Sequence, residues 1–148
     1  MRYFCDVEFN GFGGELISIG LAPEDRSMPP FYEAVGCAAP TPWVRDHVMP
    51  RLDTIPLPRD DVAERFAAYL ADDPKPVIVA DWPEDIAHAA RLLTDNRSHR
   101  LILHGVRFEL LPAGGFASEM LSAVPHNAYH DAVGLRDWVM TVEAEQRV

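Results

Sequence analysis

Apolar and polar positions alternate from Arg2 to Phe9, with Tyr3, Cys5, Val7 and Phe9 on one side of an extended chain and Asp6 and Glu8 on the other. A period of two predicts a strand. Glu15 to Ala22 (ELISIGLA) predicts a second strand, and Asn10-Gly11 and Gly13-Gly14 between them supply the turn chemistry of a hairpin. Phe31 to Val35, after the proline-rich stretch around Met28-Pro29-Pro30, reads as a third strand. The chain therefore opens with three antiparallel strands.

The period then lengthens. Trp43 to Leu52 predicts a short helix ended or kinked near Pro50, with Pro56 and Pro58 marking the loop that follows. Between Asp61 and Ala71 the apolar set Val62, Phe66, Tyr69 and Leu70 recurs at helical spacing. Val77 to Ala80 is a short continuous apolar run, as expected of a buried parallel strand. Pro83 suits the first turn of a helix running to about Thr94, with Ile86, Ala90 and Leu93 as its inward face. Leu101 to Leu103 is a further strand candidate, and Val106 to Leu111 could extend it or pair with it. Phe116 to Leu121 reads as a short helix, and Ala128 to about Glu143 as a longer one facing inward through Ala132, Leu135, Val139 and Val142. This order predicts an α/β fold with a mixed sheet, three antiparallel strands followed by parallel ones, flanked by helices.

With 148 residues and 48% hydrophobic content, one domain spanning 1–148 is expected. No apolar run approaches the ~20 residues of a membrane span and no signal-peptide pattern opens the chain, so a cytoplasmic protein with no membrane partner is expected. Cys5 and Cys37 are too few for a disulfide framework and are read as reduced thiols. The net charge of −10 argues against holding long nucleic acid by broad phosphate neutralisation, which needs a basic face. It is compatible with a carboxylate site whose bound cations meet a phosphate.

Asp6 and Glu8 stand two apart in D-V-E, so a strand points both to one face about 7 Å apart. Two readings are open: an edge strand with a solvated acidic face, or a central strand whose buried carboxylates are offset by a bound cation. A second acidic group, Asp81-Trp82-Pro83-Glu84-Asp85, follows the Val77 to Ala80 run at the strand-to-helix junction where open α/β sheets place ligands. Each of these acids alone could be a cap or a helix-dipole partner. His126 and Asp131 bracket the start of the last helix, where a loop histidine can reach a water and an aspartate in the first turn can hold a metal.

Taken together, D-x-E in Asp6-Val7-Glu8 and H-x-A-x-x-D in His126-Asn127-Ala128-Tyr129-His130-Asp131 resemble the first and last motifs of the DEDDh 3′–5′ exonuclease family, which includes ribonuclease T, oligoribonuclease and proofreading exonucleases. The middle motif departs from the family's pattern: Asp81 stands where a neutral residue is usual, and Asp85 follows four positions on. In length and lack of a basic patch the chain looks most similar to small bacterial exoribonucleases related to ribonuclease T.

The resemblance implies a ribonuclease-H-like fold and two Mg²⁺ or Mn²⁺ ions held by Asp6, Glu8, Asp85 and Asp131, with Asp6 bridging both. It implies His126 as general base and a single-stranded RNA 3′ end as substrate, DNA being possible, with release of nucleoside 5′-monophosphates. Asp81 becomes a substitute ligand or a supporting group, and a homodimer is plausible by the same resemblance. Phe9, Phe12 and Trp82 lie near the motifs and are candidates to stack terminal bases, although each is also a possible packing residue. Other classes stay open: a 3′–5′ exodeoxyribonuclease, a catalytically silent nucleic-acid or protein-binding module on the same fold, and a zinc site using His126 and His130 as H-x-x-x-H on one helix.

Overall fold

The first expected strand lies at the centre of the sheet. In the computed structural model, which describes residues 1–94, 105–112 and 115–147, β1 (Arg2–Phe9) is the third of five strands. It pairs antiparallel with β2 (Leu16–Pro23), which pairs antiparallel with β3 (Phe31–Ala34). On its other side β1 pairs parallel with β4 (Val77–Ala80), and β4 pairs parallel with β5 (Arg107–Leu110). The sheet order is β3-β2-β1-β4-β5, an α/β arrangement with a mixed sheet. The edge-strand reading of Asp6 and Glu8 is thereby excluded. Val106 to Leu111, ambiguous from its pattern, contains the outer parallel strand, whereas Leu101 to Leu103 lies outside the described residues.

Helices cover both faces because β1 and β4 are apolar on both. Tyr3, Cys5, Ile78 and Ala80 pack with Val62, Phe66 and Leu70 of α2 (Arg59–Leu70) and with Ala89 and Leu92 of α3 (Pro83–Leu92). Phe4, Val77 and Val79 face the opposite way, onto Ala132, Leu135 and Val139 of α5 (Ala128–Glu145). Phe4 therefore shares a face with Asp6 and Glu8: that face of β1 is apolar under the body of α5 and acidic only near its start. A smaller cluster joins Ile17 and Ala34 to Val44 of α1 (Pro42–His47).

Several expectations shift in detail. Trp43 to Leu52 splits into α1 and a 3-10 turn, Met49–Arg51, with Pro50 inside the turn. Only the final turn of Phe116 to Leu121 is helical, as α4 (Ser118–Leu121). The buried face of α3 is Asp85, His88, Ala89 and Leu92, and Leu93, expected to face inward, is buried just past its end, whereas Ile86 and Ala90 are only partly buried. Leu93 belongs to the core and Ile86 packs against it, and the buried face also takes in Asp85, whose Oδ1 accepts from the Val7 N–H. Among the described residues, no helix is long and apolar enough to cross a membrane.

Two backbone features place the acidic face of β1 against the start of α5. Gly20 is the cross-strand partner of Asp6, and a Cβ at Gly20 would lie 2.1 Å from the carbonyl oxygen of Ala128. Only a residue without a side chain lets the first turn of α5 rest on β2 at that level. Beside it, Glu8 pairs with Ser18 but Phe9 pairs with Leu16, so the ladder skips Ile17. Such a bulge bends the strand and re-aims neighbouring side chains.

Candidate functional site

Asp6, Glu8, Asp85, Asp131 and His126 line one cleft of about 240 Å³, together with Phe9, Asp81 and Trp82. They come from three places: the end of β1, the first turn of α3 after β4, and the loop and first turn of α5. The volume is smaller than the ~300–1,000 Å³ of a pocket that swallows a whole small molecule.

Each carboxylate is held by a different local device. Asp6 and Glu8 are fixed by their register on a central strand. Asp85, in the first turn of α3, is 2% exposed, and its Oδ1 accepts from the backbone N–H of Val7 at 3.3 Å. Asp131, in the first turn of α5, is 3% exposed and its Oδ2 accepts from the backbone N–H of His126 at 3.0 Å. Oxygens Asp6 Oδ2, Asp85 Oδ2 and Asp131 Oδ1 are sealed from solvent with no hydrogen-bond partner. Buried oxygens without partners are costly and rare. Three converging on one cleft fit a donor set for cations.

Electrostatics points the same way. Burial, then repulsion from Asp85 and Glu8, pushes the Asp6 carboxyl well above the ordinary range. Burial and the charge of Asp131 push Glu8 up to about 8, against the opposing pull of Arg51. Asp85 is raised well above its usual value by burial and by Asp81, and Asp131 and Asp81 are raised mainly by burial. Crowded carboxylates in a partly dry cleft resist carrying charge together unless a cation joins them. Glu8, His126 and Asp131 each offer an atom within 4.8 Å of the others, a group able to hold a metal ion. Asp6 and Asp85 lie in the same cleft outside that tight group.

His126 sits outside the helix. Asn127 is the N-cap of α5, its Oδ1 accepting from Tyr129 N and His130 N, while His126 precedes it with φ 64°. A non-glycine residue in this left-handed region costs on the order of 1 kcal/mol and is kept only where its surroundings hold it. The Asp131 carboxylate does so from below, and Trp43 meets the imidazole edge-on at a centroid distance of 5.0 Å. His126 and His130 do not share one helix as the H-x-x-x-H spacing suggests: the Asn127 N-cap leaves His126 in the loop and His130 in the first turn.

The remaining candidates divide. Phe9 lines the cleft and stacks on His88 of α3 at 5.6 Å. Trp82 lines it half-exposed, its Nε1 donating to Glu84 Oε2 at 3.3 Å. Phe12 is not part of the lining: it is 96% exposed on the β1–β2 turn, whose Gly13 N–H donates to Glu84 Oε1 at 2.9 Å. Glu84 thus braces that turn against the start of α3.

Residues missed in the sequence include Asn127 and Trp43. Asn127 Nδ2 donates to the carbonyl of Arg51 at 2.6 Å, pinning the start of α5 to the 3-10 turn. Its signal was present, as an Asn directly before a helical pattern. Trp43 had none, because its contact with His126 joins residues distant in the chain. Compared with models of known protein families the sequence matches none, and a comparison with curated proteins gives no match.

Proposed function

We propose that this protein is a metal-dependent 3′–5′ exoribonuclease of DEDDh type on a ribonuclease-H-like fold. The observation that carries the reading is the convergence of Asp6, Glu8, Asp85, Asp131 and His126 on one cleft, from motifs at opposite ends of the chain. The sheet order, with three antiparallel strands followed by two parallel ones and the acidic pair on the central strand, supports it.

In this reading Asp6, Glu8, Asp85 and Asp131 hold two Mg²⁺ or Mn²⁺ ions, and the three unpartnered carboxylate oxygens are the atoms that fit them. When bound, such ions neutralise the phosphate and favour ionisation of an attacking water. His126 accepts the proton from that water as its oxygen bonds to phosphorus. The P–O3′ bond to the preceding nucleotide breaks, the electron pair leaves on that 3′ oxygen, and a nucleoside 5′-monophosphate departs. Phe9 and Trp82, on the cleft wall, stack the terminal bases, while Phe12 meets the chain from the outer turn. A net charge of −10 leaves little to grip a long duplex and suits single-stranded ends.

The test is incubation with end-labelled single-stranded RNA and DNA of one sequence, with Mg²⁺, Mn²⁺ or chelator, resolving the products. Stepwise shortening from the 3′ end with release of 5′-monophosphates, faster on RNA and abolished by chelator and by Asp6→Ala, is expected. No metal-dependent shortening by folded protein, or equal shortening by Asp6→Ala, rejects the reading. Faster cleavage of DNA would reassign it as an exodeoxyribonuclease.

A further inference from the structure

Mg²⁺ is bound by oxygen, yet the tightest potential ligand group in the cleft contains a nitrogen. We propose that Glu8, His126 and Asp131 form a binding mode for a single Zn²⁺ ion that captures the imidazole and switches the site off. The switching half rests on the assignment of His126 as general base; the binding half does not.

Three observations carry it. The ligand atoms of Glu8, His126 and Asp131 lie within 4.8 Å of one another. A cation with bonds of roughly 2.0–2.2 Å closes such a triangle with small side-chain movements. Asp131 is only 3% exposed, with one oxygen engaged by the His126 N–H and the other, Oδ1, buried without a partner in the cleft wall. His126 is also pre-positioned, its backbone held by Asp131 and its ring edge-on to Trp43.

Donor chemistry selects the ion. Imidazole and carboxylate are both ligands that Zn²⁺ takes, and three protein ligands is the number its open sites have. For a given site containing nitrogen, affinity follows the order in which Zn²⁺ exceeds Mn²⁺, while Mg²⁺ gains little from imidazole. A nitrogen lone pair bonded to Zn²⁺ is unable to accept a proton, so the zinc form has its carboxylates in place and lacks its base. His130 faces Tyr129 edge-on and is no member of the group.

The metal-stripped protein is titrated with Zn²⁺, Mn²⁺ and Mg²⁺ against a chromophoric chelator, alongside His126→Ala and His130→Ala of verified fold. Zn²⁺ is expected to bind the parent at least about 100-fold tighter than Mg²⁺. His126→Ala is expected to lose about 100-fold in Zn²⁺ affinity and no more than about 3-fold for Mg²⁺, with His130→Ala unchanged. Unchanged Zn²⁺ affinity in His126→Ala, or an equal loss in His130→Ala, overturns the site. Imidazole NMR signals of the unsubstituted protein give a check that needs no variant: one histidine must shift on adding one equivalent of Zn²⁺, and no shift also overturns it. Micromolar Zn²⁺ is then added to the Mg²⁺-supported cleavage reaction. Inhibition reversed by chelator supports the switch, and undiminished cleavage by protein carrying Zn²⁺ on His126 overturns it. A protein with no cleavage to inhibit rejects the exonuclease assignment and the switch together, while the titration still decides the zinc site.

Discussion

The backbone N–H of Val7 donates to Oδ1 of Asp85 at 3.3 Å, tying the first turn of α3 to the strand between Asp6 and Glu8. Asp85 is thereby brought to the carboxylate pair with its second oxygen, Oδ2, free of any partner. Asp81, one strand-end earlier, is half-buried. Asp85→Asn is expected to stay folded, since an amide oxygen still accepts from Val7, and to lose far more turnover than Asp81→Asn. Removing a supporting group is worth ~10–100-fold, and removing a ligand charge should exceed that. Single-turnover cleavage by the two variants checks this, and a more severe defect in Asp81→Asn would exchange their roles.

Gly20 is expected to tolerate no side chain. Its Cβ would stand 2.1 Å from the Ala128 carbonyl oxygen and 2.5 Å from the carbonyl carbon, so the start of α5 must move. Gly20→Ala should destabilise the protein by about 1–3 kcal/mol or more. It should also lower turnover by roughly 100-fold, because Asp131 and His126 ride on that segment. Gly13→Ala is the control: φ there is 69° but nothing lies within 4 Å of the added methyl, so only backbone strain is paid. Urea unfolding and activity of both proteins decide the matter, and a Gly20→Ala protein indistinguishable from Gly13→Ala would refute the close approach.

Without metal, the protein should become less stable as pH rises. Glu8 keeps its proton up to about pH 8 when folded, against 4.5 for the free group, and Asp6 and Asp85 are also raised. Across that window the folded state binds more protons than the unfolded state, so the slope of unfolding free energy with pH is negative. His88 works in the opposite sense, since burial lowers its pKa from 6.5, but its effect is confined to pH values below that point. Between about pH 6.5 and about pH 8.5 in chelator, a loss on the order of 1–2 kcal/mol is expected. Saturating Mn²⁺ should flatten or reverse the trend by binding the ionised carboxylates. A rise in stability with pH in chelator would contradict the crowding of the cleft.

Much of this architecture is legible in the chain because period and punctuation act locally. Alternation marks β1, a continuous apolar run marks β4, and Pro83 marks the start of α3 within a residue. The acidic cleft is anticipated for a different reason: the motifs at the two ends of the chain are grouped by their resemblance to the DEDDh family, and the fold brings their residues to one cleft. What the pattern hides is non-local. The inward face of α3 is read only in part: Leu93 and Ile86 reach the core as expected, whereas the burial of His88 and Ala89 depends on how the helix is seated against the sheet. His126 and His130 look like a helical pair until the Asn127 cap moves one of them off the helix. Phe12, close to Glu8 in sequence, stands on the outer turn.

His126 combines a strained backbone with the imidazole proposed as general base, and two substitutions pull the two apart. With φ at 64°, any residue bearing a Cβ is strained there, whereas glycine adopts that conformation freely. Both His126→Gly and His126→Ala remove the imidazole and its contact with Trp43, so the comparison between them isolates the backbone. His126→Gly is expected to be the more stable of the two by about 1 kcal/mol, measured by urea unfolding. Turnover should fall by roughly 100-fold or more in both, with Mg²⁺ affinity and RNA 3′-end binding retained, because the four carboxylates are untouched. External imidazole should restore part of the rate, more readily in His126→Gly, where the vacated space is larger. Equal stability of the two variants would remove the strain argument, and parental turnover in either would remove His126 from the chemistry.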